Sequence, residues 1–107
     1  MPLSSVARGL RLSRQCDIKR VPSGSDPAAR ETMTAALPCS AVYPASAEQA
    51  ERAGMALAAR LMVIYTAPVT AQPDWRLSTG GVDYRIRAIS PWPRTGAHFV
   101  EMLIEEE

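Results

Sequence analysis

The side chains able to do chemistry are few and scattered. One histidine, His98, stands in the chain. It has no serine, cysteine or carboxylate beside it in a nucleophile arrangement, and it reads as a surface or hydrogen-bonded histidine. Two cysteines, Cys16 and Cys39, are too few for a disulfide framework and too far apart for a zinc knuckle. They read as small, buried, reduced thiols. A metal needs several converging ligands, which one His and two distant Cys do not propose. Asp74 and Asp83 flank the Gly80-Gly81 pair. Paired carboxylates could act as acid and base, but on hairpin arms they more often make turn hydrogen bonds. Ser78-Thr79-Gly80-Gly81 lacks the Lys and the following helix of a phosphate loop. The expectation is a non-enzymatic protein without a cofactor, metal or catalytic residue.

Binding is better supplied. Arg76, Arg85, Arg87 and Arg94 could neutralise phosphates, and Trp75, Trp92 and Tyr84 could stack on bases. The same ingredients serve a protein interface, where Arg and Trp are enriched. Charges on the outer face of a strand are also ordinarily solvated, or paired with Glu across strands. The ends of the chain differ in sign. Arg8, Arg11, Arg14, Lys19 and Arg20 are opposed only by Asp17, whereas Glu101, Glu105, Glu106 and Glu107 have no basic neighbour in sequence. This polarity predicts that the two ends meet different neighbours. Two solvated ends are the plain alternative.

These residues need a scaffold, and the last third of the chain proposes it. Trp75 to Ile89 reads as two strands joined at Gly80-Gly81, because glycine tolerates the positive φ of a tight hairpin. Val82, Tyr84, Ile86 and Ala88 alternate with Asp83, Arg85 and Arg87, the period of a half-buried strand. A third strand runs from His98 to Glu105 after a Pro-rich connection, Ser90 to Gly96. Earlier, a strand fits residues 14–21, and residues 4–12 are open to a helix. Val21 to Pro27 is a turn cluster, Ala28 to Ala36 is weakly patterned, and a short strand fits Leu37 to Tyr43. Ser46 and Gln49 form a capping box ahead of a helix over Ala47 to Ala59. Leu61 to Thr66 is β-branched and aromatic and fits a strand, with a helix continuing to Ile64 as the competitor. Pro68 and Pro73 end that strand.

The expected architecture is mainly β: a small antiparallel barrel of about six strands with one short helical or loop insertion. It forms one domain over 1–107, with an N-terminal arm at 1–13 and an insert at 46–59. A chain of 107 residues with a net charge of +1 fits a small globular protein and gives no global argument for nucleic acid. Arg8, Arg11 and Arg14 interrupt any apolar leader, and the run Met55 to Tyr65 contains Arg60 and is too short to span a bilayer. An intracellular protein off the membrane is expected.

Together the order of motifs resembles one family. A strand ends in Ile18-Lys19-Arg20, a Ser-Gly-Ser-Asp turn follows, then Leu37-Pro38-Cys39-Ser40-Ala41-Val42-Tyr43-Pro44. After a Ser/Ala/Glu segment come the strand Leu61–Thr66, a Pro/Asp loop, Trp75-Arg76-Leu77, Gly-Gly, Val82-Asp83-Tyr84-Arg85-Ile86, and a terminal strand ending in Glu. This is similar to the head–tail joining (head-closure or stopper) proteins of long-tailed double-stranded DNA phages and gene transfer agents, over residues 14–107. The resemblance implies a β-barrel that assembles as a homo-oligomeric, dodecameric ring in the virion neck, after assembly in the host cytoplasm. The ring would lie between the portal adaptor and the tail terminator or tail tube. It would close the channel on packaged DNA, let DNA pass without sequence-specific contact at ejection, and carry no catalytic residues. It also implies a channel-facing insertion, matched here by Ser46, Glu48, Gln49, Glu51, Arg52 and Met55. Expected contacts between subunits or with neighbours are Arg8, Arg11, Arg14, Arg76, Arg85, Arg87, Trp92, Glu105, Glu106 and Glu107. Another neck or tail component such as a tail terminator, and a nucleic-acid-binding β-barrel, are the alternatives.

Overall fold

In the computed structural model, residues 12–22, 29–56, 60–92 and 99–107 are described. Seven strands and one short helix follow in chain order: β1 Arg14–Arg20, β2 Glu31–Cys39, β3 Tyr43–Pro44, α1 Ala47–Arg52, β4 Leu61–Thr66, β5 Arg76–Thr79, β6 Val82–Trp92 and β7 Phe99–Glu106. They make one antiparallel sheet in the order β2-β1-β5-β6-β7-β4-β3. A further pairing, Cys39 opposite Thr66, joins β2 to β4 and closes the sheet in a ring. Three hydrogen bonds hold that closure. The Ser40 amide donates to the Tyr65 carbonyl (2.8 Å), the Ala67 amide to the Pro38 carbonyl (2.9 Å), and the Tyr65 amide to Ser40 Oγ (3.0 Å).

The core follows from strand alternation. Cys16, Ile18, Leu37, Cys39, Ile64, Leu77, Ile86, Val100, Met102 and Ile104 are buried together in one cluster. The 67–75 loop adds Ala67, Val69, Ala71 and Trp75 to it. A second cluster lies on the other face of the sheet, where Ala50 of α1 meets Leu61, Val63 and Leu103. β7 is therefore buried on both sides from Phe99 to Ile104. Its even-numbered residues Val100, Met102 and Ile104 serve the first cluster and Leu103 the second.

Several expectations need correction. The strand expected at Leu37–Tyr43 is two: β2 stops at Cys39, and Tyr43–Pro44 is a separate short strand on β4. β2 also begins at Glu31, inside the segment that showed no pattern. From Glu31 to Ala36 it is exposed apart from a half-buried Thr34, so burial imposes no period of two there. The register shifts twice along β1–β2, leaving extra residues on β2, and Ala36 takes φ 54 with its amide on Asp17 Oδ1 (3.0 Å). The helix is shorter than expected. It ends at Arg52, where the chain turns through Gly54 at φ 71, and a helix continuing to Ile64 is overturned by β4. β6 continues through Pro91 to Trp92, inside the expected connection. A bulge between Ile86 and Ala88 breaks the expected single face: Ile86 and Ile89 join the first cluster, and Ala88 joins the second. Residues 1–11, with Arg8, Arg11 and most of the arm, lie outside the described residues, as do residues 93–98 with Arg94 and His98.

Candidate interaction surface

β1, β5, β6 and β7 carry a row of charges across the sheet. Lys19 lies opposite Arg76, Arg76 opposite Arg85, and Arg85 opposite Glu105. Cations facing one another across strands repel, and here carboxylates from the surrounding chain offset the repulsion. Arg85 donates to Asp74 Oδ1 from both Nε (2.9 Å) and Nη2 (2.6 Å). Arg87 Nη1 reaches Glu105 Oε1 at 3.3 Å. Arg76 Nε lies 2.8 Å from Glu107 Oε1, an ion pair rather than an aligned hydrogen bond, and Arg30 Nη2 approaches the other Glu107 oxygen at 3.6 Å. Arg60 reaches the Glu106 carbonyl at 3.5 Å. The guanidinium of Arg85, first by its hydrogen bond and then by its charge, holds the Asp74 carboxyl below the usual range. Asp83 accepts from the Ser78 hydroxyl across the hairpin.

The basic stripe and the acidic end, separate in sequence, therefore meet in the fold. Glu105 and Glu107 have basic neighbours after all, supplied by strand pairing rather than by sequence. Arg85–Asp74 is well exposed and the others are partly covered but still in contact with solvent, and such pairs contribute about 0–1 kcal/mol each. Their effect is to neutralise one wall of the ring. Of the other residues expected to make contacts, Arg14 is exposed at the start of β1, and Trp92 lies opposite Phe99 at the end of β6.

The insert occupies a different wall. Ser46 caps α1 with both halves of the expected capping box: its Oγ accepts from the Gln49 amide (3.1 Å), and its own amide donates to Gln49 Oε1 (2.8 Å). Ala50 is buried against Leu61, Val63 and Leu103, with Ala45, Ala53, Met55, Tyr65 and Ala88 around them. Gln49 Nε2 donates to the Tyr65 hydroxyl (3.1 Å), and Arg52 Nη2 lies 3.7 Å from Glu101 Oε1. The Glu101 side chain is only 6% exposed, and Tyr65 stacks edge-on against Phe99 at 5.7 Å. Burial, and then the charge of Glu101, push the Tyr65 hydroxyl upward. Glu48 and Glu51 remain exposed. Met55, expected among the channel-facing residues, is half-buried in this cluster.

Sequence reasoning missed the Tyr65–Glu101 pair. Glu101 counted as one of the terminal acids, and Tyr65 as part of an apolar strand. They are cross-strand partners, and only the β4–β7 register, which local sequence does not encode, brings them together.

Two open depressions flank Thr79 and Gly80. One, of about 300 Å³, is lined by residues including Arg14, Ser40, Val42 and Tyr84; the other, of about 390 Å³, by residues including Gln15, Cys16, Asp17 and Ala36. In the second, Cys16 and Asp17 follow one another on β1, but Cys16 is buried in the core and Asp17 Oδ1 accepts from the Ala36 amide. The Cys16 and Cys39 thiols are buried in the same core cluster, and burial pushes both upward, so they stay protonated and unreactive near neutral pH. Among the described residues no group of three or more His, Cys, Asp or Glu side chains converges to hold a metal. No helix among them is long and apolar enough to cross a membrane. Comparison with protein-family models, with curated proteins and with solved structures finds no match. The function therefore has to be argued from the ring, its neutralised wall and its capped insert.

Proposed function

We propose that this chain is a structural protein of the phage neck, a head-completion or stopper subunit. It would work as a small barrel in a homo-oligomeric ring between the portal adaptor and the tail. The observation that carries this reading is the placement of the one helix among the described residues. An antiparallel sheet closed through residues 38–40 carries a single capped helix between two of its strands, β3 and β4, in keeping with the insertion between barrel strands that the resemblance implies. The charge arrangement supports it as well. A ring that lets DNA pass must not hold phosphates, and Arg76, Arg85 and Arg87 are already engaged by Glu107, Asp74 and Glu105. The same pairs weaken the nucleic-acid-binding alternative, whose principal cations they occupy.

The test is particle assembly with and without this chain, followed by negative-stain imaging and an assay of packaged DNA. Particles lacking it are expected to lose DNA or to carry no tails, and the wild-type chain supplied in trans should restore both. Tailed, DNA-filled particles in its absence would refute the reading.

A further inference from the structure

Among the described residues two large apolar side chains are exposed, Met33 at 43% and Tyr43 at 45%. They lie on β2 and β3, the two end strands of the sheet order. Among the described residues, the outer edge of β2 beyond Cys39, where it meets β4, has no partner strand, and β3 pairs with β4 alone. An exposed apolar residue on an open strand edge is a liability unless something covers it.

The charges around the two edges are complementary. The described residues of β1 and β2, with their connection, carry Arg14, Lys19, Arg20 and Arg30 against Asp17 and Glu31; Arg20 pairs with Glu31 and Arg30 reaches Glu107, so the hairpin is net positive through Arg14 and Lys19 against Asp17. From Tyr43 to Arg52 the chain carries Glu48 and Glu51 against Arg52, a net negative one, and Arg52 is turned to Glu101. Like edges would repel and unlike edges attract. We infer that the β2 edge of one copy, through Met33, docks on the β3–α1 edge of a second copy, through Tyr43, with Glu48 and Glu51 facing Lys19. The joint is head-to-tail, using two different patches, so repetition generates a closed ring or an open filament rather than a simple dimer.

The backbone of β2 shows how the contact is made. Met33 lies between Thr34, opposite Ile18, and Thr32, opposite Lys19, and has no partner of its own on β1. This bulge and the one before Ala36 interrupt the hydrogen-bonding edge, so the two sheets cannot run on as one ladder. The joint is made by side chains. It gives the carboxylates of the insert a task other than lining a channel. It also rests on the ring assembly proposed above and specifies its surfaces.

The test is site-directed cross-linking of the purified full chain. Met33→Cys and Tyr43→Cys are made singly and together, and reacted with a short bismaleimide; the native thiols, buried in the core, are left unreacted. A mixture of the two single variants should give cross-linked dimer, each single variant alone should give little, and the double variant should give a ladder. Cross-linking within one single variant as strong as in the mixture would show a like-to-like contact and overturn the joint. Absence of cross-links in the mixture at millimolar chain would overturn it too. Glu48→Lys with Glu51→Lys should cut the mixed cross-link about tenfold or more, and Lys19→Glu on the partner should restore it. Circular dichroism checks that these surface variants fold. The outcomes separate the two readings: cross-links with fully functional particles lacking the chain would sink only the neck role, whereas defective particles without cross-links would sink only this joint.

Discussion

At the scale of single residues, the ionisable groups set how stability responds to pH. Asp74 sits at φ 72 and receives Arg85 twice through one oxygen. Its folded value is depressed, so its contribution is present above the ordinary carboxylate range near pH 4 and is lost as pH falls through the folded value. Asp74→Asn should therefore flatten the acid limb of melting temperature against pH, and an unchanged limb would contradict the pairing. Cys16, Cys39 and Tyr65 shift the other way, chiefly through burial. Their folded forms hold the proton more tightly. Their contributions are complete below the ordinary thiol and phenol values of about 8.5 and 10, and are lost as pH rises toward the folded ones. Thermal melts between pH 8 and 11 should show a steady fall, shallower in Cys16→Ala; a flat profile would mean that these groups are solvated. The sequence made the cysteines legible as buried thiols because both fall on apolar positions. Their mutual contact was not, because it depends on Arg14 lying opposite Cys39 and Cys16 opposite Leu37.

At the scale of elements, local chemistry was legible where it is carried by neighbours in sequence. The spacing of Ser46 and Gln49 predicts the cap that the structure contains, and Gly80-Gly81 predicts the β5–β6 hairpin, with φ 59 and 79 at its turn. The unread elements have non-local causes. The first half of β2 is exposed on both faces and bulged, and the switch of Ala88 to the outer cluster depends on a register shift against β7. Pairing of the arginine stripe with Glu105 and Glu107 was beyond reach for the same reason. α1 has only six residues, too few for stability on its own, so its cap and its Ala50 contact decide whether it stays on the wall. Ser46→Ala should cost about 1 kcal/mol. Hydrogen exchange should then speed up from Ala47 to Met55 while β4 keeps its protection. Equal loss of protection in β4 would show that the insert and the ring unfold as one unit.

At the scale of the whole molecule, a closed sheet with cores on both faces distributes its stability around the ring. Ile18 is fully buried and lies where β1 pairs with both β2 and β5. Ile18→Ala should cost about 2–5 kcal/mol in chemical denaturation and weaken the two walls together; a cost below about 1 kcal/mol would mean that the ring is loosely packed there. The mainly β class and the positions of β1, β4, β5 and β7 were legible from alternation and turn residues. The seventh strand and the closure through Ser40 and Tyr65 were not, since ring closure joins residues 25 apart by hydrogen bonds that neither segment announces. The role proposed above makes the closed sheet a wall of the virion neck, with its arginine stripe engaged by its own carboxylates. Cryo-electron microscopy of intact particles, with this chain tagged, tests it most directly. The account predicts a ring of tagged copies between portal and tail, each bearing the seven-stranded sheet; particles with a complete neck and no tagged density would contradict it.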